Sequence, residues 1–275
     1  VKLTSVVDTN IDNHALVTEK NISKFKKYQD IVDHVDAVSI VTPTSSHFKI
    51  AKYFLEKKIH VLLEKPMTET VAQAKKLNNI AKKNNCILQI GHLEQFNPAI
   101  RKIRKSNCKP QFIEVHRLCQ FNPRANDVDV VLDLMIHDID IVLSLIDKPI
   151  KNIEVSGKKI LTKLTDIANV RIKFEDNVVA NLTASRISTK NERKMRIFSD
   201  SSYYSIDFIN NELKQVVKDK KNNFKIKDFS FKKTDVLYEE INNFIKTCLG
   251  KEKSMTTGYS GEEALIVAKK ITRNF

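Results

Sequence analysis

Three short apolar runs, at 37–41, 59–63 and 86–90, are separated by stretches whose apolar residues recur every three or four positions. Phe48, Ala51, Phe54 and Leu55 form one such stripe, and Val71, Ala74, Leu77 and Ala81 form the next. A strand that is apolar at every position is buried on both faces. A helix between two strands returns the chain to the end where it started, so such strands pair in parallel. The pattern therefore predicts an α/β fold, a parallel sheet covered by helices, with its ligand edge at the carboxyl ends of the strands. A strand at 2–7 ending in Asp8, and a helical stretch at 12–20, extend the pattern toward the start.

After about residue 150 the period changes. Strands are expected at 153–156, 167–174, 178–185, 194–198 and 203–208, with Asp176-Asn177 as a hairpin turn. Most connections are too short for crossover helices, so this sheet is expected to be mainly antiparallel. Helices at 235–249 and 260–272 close the chain. The 275 residues include 47 Lys and Arg against 33 Asp and Glu, a net charge of +14. Lys57, Lys58, Lys75, Lys76, Lys82 and Lys83 sit on helix faces, and more lysines crowd 218–233. With abundant Asn and Ile, this reads as solvated faces rather than a nucleic-acid surface. Anionic small molecules, such as nucleotides and sugar diphosphates, remain natural partners. No apolar run reaches the roughly 18–20 residues of a membrane span, and no secretory leader opens the sequence. Cys86, Cys108, Cys119 and Cys248 form no C-x-x-C pair, which points to structural thiols in the cytoplasm and no metal site.

Glu64-Lys65-Pro66 follows the strand at 59–63, at the ligand edge. Thr68 is expected to cap the next helix. Taken alone, a solvated charge pair explains this stretch as well as a catalytic lysine does. Asp8 occupies the strand end where an acidic residue binds the adenosine ribose and disfavours a 2′-phosphate, as in NAD recognition; an ordinary turn aspartate is the other reading. The glycine-rich phosphate loop that belongs about 20 residues earlier is not in the sequence, and the five glycines make no G-x-G-x-x-G. The expectation is a Rossmann-type parallel sheet, N-terminally truncated, that binds NAD weakly as written. Thr42-Pro43 with His47 and Gly91-His92 lie at the same edge. Glu94 and Asn97 offer polar contacts nearby. Asp133, His137 and Asp140 are spaced i, i+4, i+7 on a helix whose core stripe is Leu132, Met135, Ile136, Ile139, Val142, Leu143 and Ile146. An Asp one turn from a His orients it for proton transfer, or is simply a surface ion pair.

Thr42-Pro43 with His47, Glu64-Lys65-Pro66, Gly91-His92 and Asp133 with His137 together resemble the Gfo/Idh/MocA family of nicotinamide-dependent oxidoreductases. Residues 91–99, 130–140, 166–169 and 181–186 resemble its nucleotide-sugar 3-dehydrogenase branch. The resemblance implies a dinucleotide-binding domain at 1–95, lacking its first strand and glycine loop, and a substrate-binding and oligomerisation domain at 96–275. It implies oxidation of a sugar hydroxyl, at C3 of a UDP-N-acetyl sugar, by hydride transfer to NAD. The resulting ketone often passes to an aminotransferase, in some bacteria on the way to lipid A. Lys65, His137 and Asp133 are the implied catalytic residues. Asp8, Thr42, Pro43, His47, Glu64, Lys65, Pro66 and His92 are the implied cofactor contacts. Lys65, Asn97, Asp133, His137 and Arg186 are the implied substrate contacts, Arg186 toward the diphosphate. A homo-oligomer through the second-domain sheet is implied as well. The same fold acting on a free sugar or other polyol, and a non-catalytic remnant without the phosphate loop, are the alternatives.

Overall fold

The computed structural model describes residues 1–19, 21–106, 108–122, 128–218, 223–232 and 235–275. Lys20, at the end of the expected helical stretch, and Lys220, Lys221 and Lys233 of the lysine-rich region lie outside the described residues. The chain divides into two compact units, one of residues 1–91 with 238–262, the other of 92–237 with 263–275. The expected boundary at 95/96 placed the whole C-terminal stretch in the second domain. In the structure, residues 238–262 cluster with the first unit.

In the first unit, β1 (Ser5–Val7) pairs in parallel with β2 (Ser23–Phe25). Between them, Ile11–Leu16 is a 3-10 helix, shorter than the helical stretch expected over 12–20. β3 (Ala37–Ile40), α1 (Thr44–Glu56), β4 (His60–Leu63), α2 (Val71–Lys83) and β5 (Leu88–Ile90) form the predicted β-α-β-α-β run. The three strands pair in parallel in that order. A doubly wound sheet has the order 3-2-1-4-5-6, and the two pieces match its 3-2 and 4-5-6 portions. Val61, Leu63, Ala51, Leu55, Leu77 and Ile90 are fully buried, which is why these strands read as unbroken apolar runs. The cap of α2 is Thr70, not Thr68. Thr70 accepts from the Gln73 amide while Gln73 accepts from the Thr70 amide, a closed capping box. The Thr68 hydroxyl instead donates to the Thr70 carbonyl.

In the second unit, α3 (Pro98–Lys105) and β6 (Pro110–Leu118) precede a π-helical turn at Val131–Met135, which runs into α4 (Ile136–Leu145). Then follow β7 (Ile150–Lys158), β8 (Ile167–Phe174), β9 (Val179–Ser185), β10 (Glu192–Ser199), β11 (Ser202–Asp207), β12 (Glu212–Lys218) and β13 (Phe224–Ser230). These eight strands form one sheet in the order β13-β12-β11-β10-β6-β9-β8-β7. All neighbours are antiparallel except β6 and β9, a parallel pair the sequence did not suggest. The β8–β9 hairpin turns at Asp176 and Asn177, both at positive φ (54° and 59°), as their short polar side chains allow. One face of the sheet is apolar. Ile113, Val115, Ala168, Val170, Ile172, Ala180, Leu182, Met195 and Ile197 are buried to within 1% and alternate with half-buried or exposed, mostly polar residues. Contacts from α4 to β6 and β9 cover that face. α5 (Val236–Cys248) then returns to the first unit, and the unit boundary falls within α6 (Gly258–Thr272).

Candidate active site

Strand pairing sets the ligand edge of the first unit. The Glu64 amide donates to the Ile40 carbonyl and the Gly91 amide to the Leu63 carbonyl, so the parallel ladder carries both residues to the ends of their strands. Glu64 folds back on the motif. Its Oε2 accepts from the Lys65 backbone amide at 3.1 Å. The same oxygen would lie 2.9 Å from a Cβ at Gly91, so glycine is needed there for the carboxylate to close over the backbone. Lys65 is half-buried and joined to Pro66 by a cis peptide bond. His47 is buried, with one ring nitrogen 3.0 Å from the Pro66 carbonyl and the other 2.8 Å from the Thr42 carbonyl. It ties the 42–43 loop to the 64–66 loop, so its ring holds the edge together. Thr42 and Pro43 are exposed, and Pro43 is the N-cap position of α1.

Asp8 follows β1 and is half-buried. Its two oxygens accept from the Asn10 amide and the Asn13 side chain, each at 2.8 Å. The Asn13 and Asn10 bonds hold its carboxyl below the usual carboxylate range. An ionised carboxylate has about four acceptor sites, so a ribose diol can still bind. The residues present thus fit the ribose end of a dinucleotide at Asp8. Among the described residues, no group of three or more His, Cys, Asp or Glu is placed to hold a metal ion.

In the second unit, two expected site residues meet. The rings of His92 and His137 stand edge to face, 6.4 Å between centroids. His92 is buried, and its Nδ1 has no hydrogen-bond partner among the described residues. Asp133 lies in the π-turn directly before His137, both half-buried. Such turns are rare and frequent at functional sites. Asp129 starts this segment, its Oδ1 accepting from the Val131 and Leu132 amides at 2.9 and 3.0 Å. That cap was legible as an Asp before an apolar run and was not singled out.

Other expected residues are engaged elsewhere. Asp140 does not extend the His137 face. It is buried, accepts from the Gln95 side chain, and Gln95 in turn accepts from Arg104. Burial pushes the Asp140 carboxyl up, against the pull of His92, Gln95 and Arg104. Asn97 caps α3, accepting from the Ala99 amide at 2.9 Å. Arg186 is 5% exposed, and its Nη2 donates to the Val128 carbonyl at 2.6 Å. Glu94 joins a buried ion cluster. Arg117 clasps Asp138 through Nε (2.8 Å) and Nη2 (2.7 Å), reaches Glu94 through Nη1 (3.3 Å), and Arg193 also pairs with Glu94. The cluster links the segment after Gly91 to α4, next to His137.

A parallel β-α-β unit with an acidic residue after a strand and a lysine at the ligand edge, joined to a large mixed sheet, is the build of a dinucleotide-dependent oxidoreductase. The comparisons with known proteins agree. The oxidoreductase family model with an NAD-binding Rossmann fold, Gfo/Idh/MocA, matches residues 1–92, and the Gfo/Idh/MocA C-terminal domain matches residues 110–204. UDP-N-acetylglucosamine 3-dehydrogenase of Acidithiobacillus ferrooxidans is 38% identical over 214 residues, 77% of this chain and 68% of that protein. A solved structure of the enzyme of that name from the same organism superposes with a TM-score of 0.93 at 33% identity, covering 98% of this chain and 88% of the other. Levoglucosan dehydrogenase in complex with NADH shares the fold at 14% identity, with a TM-score of 0.88 over 98% of this chain and 87% of its own. The chain belongs to the Gfo/Idh/MocA family of NAD-binding oxidoreductases.

Proposed function

We propose that this protein is a nucleotide-sugar dehydrogenase that oxidises the C3 hydroxyl of a UDP-N-acetyl sugar. The observation that carries the reading is the 38% identity to UDP-N-acetylglucosamine 3-dehydrogenase, in a chain that has Lys65 at the ligand edge and Asp133 one turn before His137. NAD, when bound, supplies the hydride acceptor, and Asp8 would hold its adenosine ribose. Lys65 donates a hydrogen bond to the reacting hydroxyl and stabilises its developing negative charge. His137, oriented by Asp133, takes or relays the proton. Glu64 steadies the Lys65 backbone. The ketone formed is a substrate suited to transamination.

The test is formation of reduced nicotinamide with UDP-N-acetylglucosamine, set against free N-acetylglucosamine and myo-inositol. Lys65→Ala and His137→Ala are each expected to lower turnover roughly a hundredfold or more. Near-normal turnover in both variants overturns the assignment of roles. Preference for the free sugar or the polyol overturns the substrate and leaves the family.

The same reading extends to self-association through the exposed face of the large sheet. Phe112, Phe198 and Tyr203 form a ring cluster there, with centroids 5.5 and 4.9 Å apart. Phe198→Lys is expected to shift the sedimentation coefficient toward that of a monomer, and an unchanged coefficient would remove this face as the contact.

A further inference from the structure

His92 is costly where it stands. It is 1% exposed, and its Nδ1 has no hydrogen-bond partner among the described residues. It occupies the N-cap position of the Leu93–Phe96 turn, yet its side chain makes no capping bond there. An unpartnered polar atom in the interior lowers stability, and an apolar side chain in its place would avoid that loss. What His92 does touch is a second imidazole. Its ring and that of His137 stand at 90°, with 6.4 Å between centroids. The segments carrying the two rings are tied to each other twice. Arg117 holds Glu94, two residues after His92, at 3.3 Å, and forks onto Asp138, the residue after His137, at 2.8 and 2.7 Å. Gln95, the next residue in the same turn, donates to the Asp140 carbonyl at 3.2 Å and also to the Asp140 carboxyl. Arg117, Asp138, Gln95 and Asp140 are all buried, so neither tie is loosened by water.

We infer that His92 is a positioning residue for His137: the 92–96 turn and the start of α4 are locked together so that one imidazole forms a wall for the other. An imidazole turns about its Cβ–Cγ bond with only a broad torsional preference, so the backbone of α4 does not by itself set the plane of the His137 ring. A second ring packed edge to face does set it, because such pairs have a preferred mutual orientation. With the plane set, the His137 nitrogen that takes the proton has a fixed direction. This changes the role of His92 from the cofactor contact implied by its motif to one that acts through His137. The kinetic half of the inference rests on the dehydrogenase reading of His137, and the orientation half does not. Without the wall the ring rotates, and a displacement of about 1 Å near a reacting group costs up to about a hundredfold in rate.

NMR of protein labelled at its seven histidine rings tests the orientation, each ring being assigned by its loss in a single variant. A nuclear Overhauser contact between the His92 and His137 rings is expected in the unsubstituted protein, and its absence overturns the inference without recourse to any variant. The order parameter of the His137 ring, from carbon relaxation, is expected to fall in His92→Ala and to stay high in His92→Phe, which keeps an aromatic wall and lacks the ring nitrogens. His92→Leu replaces the alanine variant if the void unfolds the chain. An order parameter unmoved by loss of the ring overturns the positioning role. Kinetics with NAD and UDP-N-acetylglucosamine then measure the consequence. His92→Ala is expected to lose roughly tenfold or more in kcat while each KM changes by less than about twofold, and His92→Phe should recover most of that loss. Equal impairment of the two variants assigns the effect to the ring nitrogens and overturns the wall. A raised KM for NAD in both variants, with kcat kept, returns His92 to the cofactor and overturns it as well. Absence of dehydrogenase activity in the unsubstituted protein refutes the dehydrogenase reading and the kinetic half with it, while the ring contact and order parameter still decide the orientation.

Discussion

Arg117 shows most clearly how a single side chain supports the site. Its guanidinium forks onto Asp138, one residue from His137, and touches Glu94, three residues from Gly91. Removing one partner of a buried pair leaves the other charge without compensation. Arg117→Ala is therefore expected to cost about 3–5 kcal/mol, read as a lower urea midpoint. Arg117→Lys should restore little, because a point charge cannot fork onto a carboxylate. At this scale the sequence was a partial guide. It marked Lys65, His92, Asp133 and His137, and the structure brings the His92 and His137 rings together. It also marked Glu94, Asn97 and Arg186 as ligand contacts, and the structure finds them in an ion cluster, a helix cap and a bond to a carbonyl. A polar residue after a strand looks the same in sequence whichever of these it does. What decides is the partner, and Arg117 is 23 residues from Glu94 while Val128 is 58 from Arg186. Glu240 was not singled out either, since nothing in its neighbours along the chain foretells its burial.

Among the elements, those with a clear period were legible. The strands at 37–41 and 167–174 and the Asp176-Asn177 hairpin are where the residues place them. β12 and β13 lie at one end of the large sheet and alternate weakly between buried and exposed, and β13 has no buried residue at all. Without a buried face there is no period to read. β2 is three residues long, too short to show one. The glycines of α6 carry information that appears only in three dimensions. A Cβ on Gly258 would lie 2.1 Å from Asn78 Oδ1, and one on Gly261 would lie 2.5 Å from Ile90 Cγ1. Both allow the start of α6 to press onto α2 and β5. Gly261→Val is expected to destabilise the protein by about 1–3 kcal/mol through overpacking, measurable by thermal unfolding. Thr70→Ala, which opens the capping box of α2, should cost about 1 kcal/mol by the same measurement.

For the whole molecule, two carboxyls push the pH response in opposite senses. Glu240 has its proton affinity raised on folding, from 4.5 to about 8. Its contribution is fully present below the unfolded value and is lost as pH rises through the folded one. Asp166 is pushed up by burial, but the Thr162 hydroxyl and the backbone amides of Thr162, Ile160 and Leu161 outweigh this and bring it down to about 2. Its contribution is present above the unfolded value of 3.8 and is lost as pH falls through about 2. The melting temperature should therefore decline between roughly pH 5 and 8, a slope that Glu240→Gln flattens. A slope unchanged in that variant would assign the decline to other groups. The way the chain threads its two units has a consequence for its synthesis. The outer edge of β5 is covered by the returning segment: Ile90 donates to the Thr256 carbonyl, Gln89 bridges to Thr257, and the Asn78 side chain donates to Gly258 and Glu262. On the ribosome, the unit whose first strands emerge earliest must wait for about 170 more residues before that edge is covered, on the order of ten seconds or more of translation. The large sheet has all its strands before the N-terminal unit can close. Of the two sheets, the one begun earlier is thus the one whose edge is covered later, and the nascent chain depends on whatever shields a bare strand edge in the interval.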